Sequence, residues 1–588
     1  SLAGMLALLA YVSIPGILLL RAGLSLERLG FGAALSIGVN SFAVMILSMA
    51  GWYGPVSLWL WIAVSAVLTG WAAFYLRKQA PACEIHTEEN RSKWLLLPVF
   101  LIVAYKSWRL PYFTWDAVAS WTRWARNFAL DPDYLTHGNF FYPQFMSWGM
   151  SIPYAGSGNP TLEYISHGFS FFLLLVLFAG IARLAQHLKT DSTSAFALLF
   201  VTYPFVSFAG TGYADIGTAG FTGLALALTI RALRTGKPRS GDEASAKEIF
   251  KAALPAGLAA GVAFLFKQSS APVIFAFTGI YLLFFSRLKT LEKCRVGVPM
   301  AAGFLLVTLP WLLSDSTTLS GPHFLYLVSG IHPDPSPAGV MKSGLLMLVK
   351  QISIFNSAPA GWVVLGLSVA LAAAGWRAGR VQRALILAVA ASTLFWMGTA
   401  SYDTRGLMPV MVPGAVLAAA GLERLLSARR RKGILTGVAL GCVLLFAANQ
   451  LHPTLRIGKN RVWDWRQGEL WSRLPLTAGR TEQLRLLQPA LADLEEWKKL
   501  RGPIRTTVWS DHLLFSSVDP HRVDGGGRWL EELEDNGEIQ YRKGDYLILS
   551  STDGLTRDLI DALKKEPATS VKPIPQTHSL LEIDGDPL

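Results

Sequence analysis

Residues 252–286 read AALPAGLAAGVAFLFKQSSAPVIFAFTGIYLLFFS. Two apolar runs, 252–266 and 271–286, stand on either side of a single charge, Lys267. A basic loop follows, with Arg287, Lys289, Lys293 and Arg295. A membrane-spanning helix needs roughly 20 mostly apolar residues, and each run comes near that length. The stretch predicts two spanning segments joined by a tight connection after Phe266, or one hairpin broken there.

Outward from it the same pattern repeats. Apolar segments lie near 2–20, 30–50, 56–76, 94–110, 163–186, 193–209, 216–233, 297–313, 358–376, 384–400, 406–422 and 434–449, which with the first two makes fourteen. The chain of 588 residues is 52% hydrophobic and 16% charged, whereas soluble domains carry about 25% charged residues. Its 20 Trp and 31 Phe suit aromatic belts at lipid interfaces. Disorder, a coiled coil, a collagen-like chain and a disulfide scaffold are excluded by these figures. Cys83, Cys294 and Cys442 have no metal-ligand spacing, so neither a zinc site nor a disulfide framework is expected. No small-residue cleavage site follows segment 2–20, which reads as a spanning helix rather than a signal peptide.

Basic residues occupy every second connection. They are Arg21 and Arg28; Arg77, Lys78, Arg91 and Lys93; Arg183 and Lys189; and Arg231, Arg234, Lys237 and Arg239. The alternation continues with the loop after residue 286, then Arg377, Arg380 and Arg383, then Arg429, Arg430, Arg431 and Lys432. The positive-inside rule makes these connections cytoplasmic. The others fall outside: 51–55, 111–162, 210–215, 267–270, 314–357, 401–405 and everything after about 450. The net charge of +13 is thus mainly a topology signal, and no nucleic-acid motif accompanies it.

The organisation expected is a polytopic α-helical membrane domain over 1–450, with outer loops 111–162 and 314–357. A small soluble α/β domain is expected over 451–588 on the outer face. In that tail, Thr506–Ser510 and Tyr546–Ser550 read as buried strands. Leu555–Lys564 reads as an amphipathic helix.

Polar residues gather in four outer loops. The stretch 114–128, TWDAVASWTRWARNF, reads as an amphipathic helix on the membrane surface. Trp121, Trp124 and Phe128 form its aromatic stripe, and Asp116 and Arg123 lie on another face. Tyr213 and Asp215 share a short loop, Lys267 ends an apolar run, and Tyr402, Asp403 and Arg405 share another short loop. Each has a plain structural reading: a helix cap for Asp116 or Asp215, a snorkelling Lys267, a local salt bridge for Asp403 and Arg405. Their agreement on one membrane face points further. A carboxylate can deprotonate an acceptor hydroxyl, and cations can stabilise a departing phosphate.

At this point the chain resembles the GT-C glycosyltransferases, in particular the protein-mannosyltransferase and aminoarabinose-transferase branch. Four stretches carry the resemblance: Trp115-Asp116-Ala117 with Trp121 and Trp124; Tyr213-Ala214-Asp215; Phe264-Leu265-Phe266-Lys267; and Arg405-Gly406-Leu407-Met408-Pro409. Three departures accompany it. The acidic loop follows about the fourth helix instead of the first, its Asp116 stands without an acidic neighbour, and Gly406 replaces the aromatic that follows the arginine.

The resemblance implies an enzyme of a bacterial inner membrane with its active site on the periplasmic face. It moves a sugar from a polyprenyl-phosphate donor to an envelope glycan, lipid or protein, with inversion. It implies Asp116 as the general base, with Lys267, Arg405 and Arg123 on the donor phosphate. Asp215, Asp403, Tyr213 and Tyr402 would position these groups. His137, Tyr142, Tyr154 and Asn159 are candidates for the acceptor side. No organic cofactor is implied, and Asp131 and Asp133 are the candidates for a divalent metal, with an ordinary Asp-Pro-Asp turn as their plain reading. Membrane lipids are expected partners and nucleic acid is not. The alternatives are a lipid-linked glycan flippase or transporter, and a polymerase or ligase using a diphosphate-linked oligosaccharide.

Overall fold

The computed structural model describes residues 2–22, 25–79, 91–108, 121–130, 134–137, 142–158, 163–236, 246–314, 379–399, 404–426 and 430–451. It also describes single residues between 339 and 345 and short strands between 456 and 583. Among the described residues, nine helices are long and apolar enough to cross a membrane.

The centre of the bundle is the helix Asp215–Thr235. Its 21 residues span about 31 Å at 1.5 Å per residue, close to the bilayer's hydrocarbon thickness. It packs between Phe169–Leu188 and Ala246–Phe266. Small residues make this approach close: a Cβ on Gly180 would stand 2.5 Å from the Gly220 carbonyl oxygen. Its buried threonines satisfy their hydroxyls within the helix, Thr222 donating to the Thr218 carbonyl at 2.7 Å and Thr229 to that of Ala225 at 2.8 Å. Pro55–Tyr75 has a similar hydropathy, 1.7 against 1.5, yet only 17% of its window is buried against 89% for the central helix. Hydropathy alone separates membrane from water, and small residues separate the bundle's centre from its lipid-facing rim.

The nine helices match the expected segments 30–50, 56–76, 163–186, 216–233, 252–266, 271–286, 297–313, 384–400 and 406–422. Segment 2–20 is shorter than expected, because Leu2–Ser13 ends just before Pro15. Proline has no N–H to offer the carbonyl four residues back. Asn40 takes that role, its Nδ2 donating to the Tyr11 and Ile14 carbonyls at 2.6 Å. Segment 94–110 narrows to Leu97–Trp108, and 193–209 divides into Ser192–Leu199 and Tyr203–Phe208. Segment 434–449 lies inside Arg431–Leu451, and 358–376 lies outside the described residues. At the decisive stretch, Ala246–Phe266 and Ala271–Ile280 are joined by Lys267 and the 3-10 turn Gln268–Ser270.

Two features differ from expectation within 111–162. The aromatic stripe does not lie against lipid: Trp121, Trp124 and Phe128 are all buried, on and just before the helix Arg123–Leu130. The reason is a helix with no counterpart in the sequence reading, Phe145–Ser157. It packs on Arg123–Leu130 and on Leu2–Ser13, and nearly all its residues are buried. Phe128 and Trp148 meet across that contact with ring centres 5.6 Å apart.

Beyond residue 451, five strands form one mixed sheet. Of the two strands expected there, Thr506–Ser510 is described over Val508–Ser510 and pairs directly in parallel with Tyr546–Ser550. Gly527–Trp529 flanks one edge, while His578–Ile583 and Thr569–Pro573 extend the other side antiparallel. Leu555–Lys564 lies outside the described residues.

Candidate functional site

Lys267 ends one bundle helix and Asp215 begins another, 52 residues apart in sequence. Their side chains meet: Lys267 Nζ donates to Asp215 Oδ1 at 3.0 Å. Lys267 is 6% exposed and Asp215 fully buried. A lone charge at this depth would be costly, and the pair with its hydrogen bond offsets that cost. Asp215 also stands in the first helical turn, where the helix dipole favours negative charge. Its second oxygen, Oδ2, is buried with no hydrogen-bond partner among the described residues.

Aromatic rings surround the pair. Lys267 Nζ lies 5.2 Å from the centre of the Tyr142 ring, a cation–π contact. Tyr142 in turn stacks on Trp121 at 5.6 Å. Phe266, next to the lysine, packs on Phe145, Phe169 and Phe221.

The second cation sits beside Tyr213. The Arg405 guanidinium lies 4.3 Å from the centre of the Tyr213 ring and 5.7 Å from that of Phe208. The loop that presents Tyr213 turns at Gly210 and Gly212, with φ of 77° and 85°. Those values suit glycine and strain other residues. Tyr213 precedes Asp215 by two residues, so this loop leads from the Arg405 contact into the helix that carries the Lys267 partner.

Gly406 follows Arg405 in the turn Thr404–Leu407. A Cβ there would stand 3.1 Å from Trp396 Cδ1. The neighbouring helix Arg380–Thr399 thus already supplies an indole at that point. A side chain at 406 would press on that ring and oblige it to shift by a few tenths of an ångström.

Of the sequence candidates, the structure brings together Asp215, Lys267, Tyr142, Tyr213 and Arg405. Tyr154 is buried in the Phe145–Ser157 helix. Arg123 and His137 are placed by backbone only, in Arg123–Leu130 and Tyr134–His137. Asp116, Asp131, Asp133, Asn159, Tyr402 and Asp403 lie outside the described residues. Among the described residues no group of three or more His, Cys, Asp or Glu could hold a metal. Sequence reasoning assigned no site role to Trp121, Phe208 or Trp396. Trp121 was legible as part of a stripe, whereas Phe208 and Trp396 sit in apolar runs with nothing to mark them.

Chemically the arrangement offers one lysine held in place by a carboxylate and one arginine held over a ring. Both are preorganised cations at one end of a membrane bundle, and such groups stabilise developing negative charge without reorganising.

No family model matches the chain, and no curated protein matches it. Solved structures do. ArnT from Cupriavidus metallidurans in the apo state aligns with a TM-score of 0.53 and 14% identity, covering 83% of this chain and 98% of that one. ArnT from the same organism bound to undecaprenyl phosphate aligns at 0.48 and 15%, covering 84% and 98%. The oligosaccharyltransferase AglB from Archaeoglobus fulgidus, in complex with an inhibitory peptide and a dolichol-phosphate, aligns at 0.45 and 13%, covering 78% and 69%. The likeness to apo ArnT is one of fold: the chain shares the fold of that membrane protein over most of its length.

Proposed function

We propose that the chain is a glycosyltransferase that moves a sugar from a polyprenyl-phosphate donor to an acceptor hydroxyl at the outer membrane face. The observation that carries this reading is the buried Lys267–Asp215 pair, adjoining Arg405 on Tyr213. The donor class follows from the motif resemblance, in which the helix-ending lysine and the Arg-x-Leu-x-Pro arginine bind the lipid phosphate.

In this mechanism Asp116 accepts the proton of the acceptor hydroxyl as its oxygen forms the bond to the anomeric carbon. The bond from that carbon to the phosphate oxygen breaks on the opposite side, so the configuration inverts. Polyprenyl phosphate leaves with the electron pair, and Lys267 and Arg405 take up its charge, with Arg123 alongside. Asp215 holds the Lys267 ammonium in place through its hydrogen bond. Tyr213 holds Arg405 against its ring, with positioning roles for Asp403 and Tyr402 just ahead of it in sequence. Tyr142 borders the acceptor side, and His137 and Asn159 are assigned to the same side. The site and the 451–588 region face the periplasm of a bacterial inner membrane.

The test is transfer of labelled sugar in membranes containing the full chain, supplied with polyprenyl-phosphate sugars and an envelope extract. Label should pass to an acceptor with the native chain. It should fall by about 10²–10⁴ with Asp116→Asn at matched expression, the usual contribution of a general base. Undiminished transfer by a folded Asp116→Asn chain refutes the base assignment. Absence of transfer with every monophosphate donor, but transfer with diphosphate-linked oligosaccharide, moves the reading to a polymerase or ligase.

A further inference from the structure

The end of the bundle opposite Lys267 holds a cavity of about 810 Å³. Arg234, one of its lining residues, lies on the central helix 19 residues beyond Asp215, which at 1.5 Å per residue is about 28 Å along the axis. Five cationic side chains line it: Lys189, Arg234, Arg287, Arg380 and Arg424. They come from two connections and three helix ends far apart in sequence. Among the described residues that line it there is no Asp or Glu.

Two of the five are engaged in holding the fold. Arg234 Nη2 donates to the His187 carbonyl at 2.9 Å, at the end of Phe169–Leu188, and Arg424 Nη2 donates to Gln382 Oε1 at 2.8 Å. Lys189, Arg287 and Arg380 make no ion pair among the described residues. Like charges converging on one cavity repel, and a bound anion relieves that repulsion. The volume lies within the roughly 300–1,000 Å³ of ligand pockets.

We propose that this cavity binds a phosphate-bearing anion, and that its occupant is the headgroup of an anionic lipid. Its depth supports a lipid, because its lining residues cluster at the ends of spanning helices, where headgroups reside. So does its wall. Tyr281 and Leu288 give it an apolar side, and the π-helical turn Tyr281–Phe285 continues into Leu283 and Phe284, which are 69% and 76% exposed. Phosphates meet the cations while acyl chains run along that turn. This site is independent of the transfer reaction at the other end.

The test uses the full chain in neutral detergent and native mass spectrometry. The probes are cardiolipin, with two phosphates, and zwitterionic phosphatidylcholine. The native chain should retain cardiolipin in preference. The Arg287→Gln/Arg380→Gln chain should lose that retention by at least about tenfold, as expected for losing two charged contacts. Lys289→Gln, an exposed basic residue outside the lining, should retain it. Cardiolipin that stays bound against excess inorganic pyrophosphate supports the lipid. Its displacement by pyrophosphate overturns the lipid in favour of a soluble phosphate compound. Equal retention by the native and doubly substituted chains, both with native helical content, overturns the site.

Discussion

The two ends of the bundle handle positive charge in opposite ways. At the Lys267 end each cation has a designated partner: a carboxylate for Lys267, an aromatic face for Arg405. At the Arg380 end five cations share one cavity with no carboxylate among its described lining. Paired charges are held to a fixed geometry, as a reaction centre needs. Cations gathered around one cavity make a field, which attracts anions. The positive-inside reading predicts this separation, since Lys189, Arg234, Arg287 and Arg380 come from basic connections, whereas Asp215, Lys267 and Arg405 come from the others.

The sharpest way to break this contrast is to remove one member of the pair. Lys267→Met alone leaves Asp215 buried without its cation, and should cost about 3–5 kcal/mol of stability. Adding Asp215→Asn should recover most of that loss in thermal unfolding, while sugar transfer stays abolished. If both single and double variants melt like the native chain, the pair is not a buried ion pair.

Arg405→Lys keeps the charge and loses the planar stack on Tyr213. It should lower stability by about 0.5–2 kcal/mol and slow transfer. Native transfer rates in this variant mean that charge alone suffices. Gly406→Ala places a methyl against Trp396 and should cost about 1–3 kcal/mol of overpacking; trimming Trp396 to Leu should relieve part of it. At the opposite end the effect should be smallest. Arg287 is exposed, and Arg287→Gln should shift stability by no more than about 0.5 kcal/mol, as measured by chemical or thermal unfolding.

Nine of the fourteen expected spanning segments match helices of the structure, and they were legible because a bilayer imposes about 20 apolar residues on each. The Phe145–Ser157 helix was not. At 13 residues, with Ser147, Ser151 and Pro153 inside it, it looks like loop, and only its burial on all sides reveals it. The Trp121 stripe shows a related limit. Periodicity identifies an apolar face, and either lipid or protein can cover such a face. In the candidate site, the residue types and the shared membrane face of Asp215, Lys267 and Arg405 could be read in advance. Which carboxylate answers Lys267 could not, because that contact bridges 52 residues. Nor could the reason for Gly406, which lies in the indole of a different helix.

The most direct test of the account is equilibrium binding of polyprenyl phosphate to the purified full chain. The comparison is between the native protein and the Asp215→Asn/Lys267→Met variant, whose removal of both charges leaves none buried at that position. Affinity should fall by at least about tenfold, the loss of one charge-assisted contact to phosphate. Equal affinity in a variant with native helical content would contradict it, and would place the lipid phosphate somewhere other than Lys267.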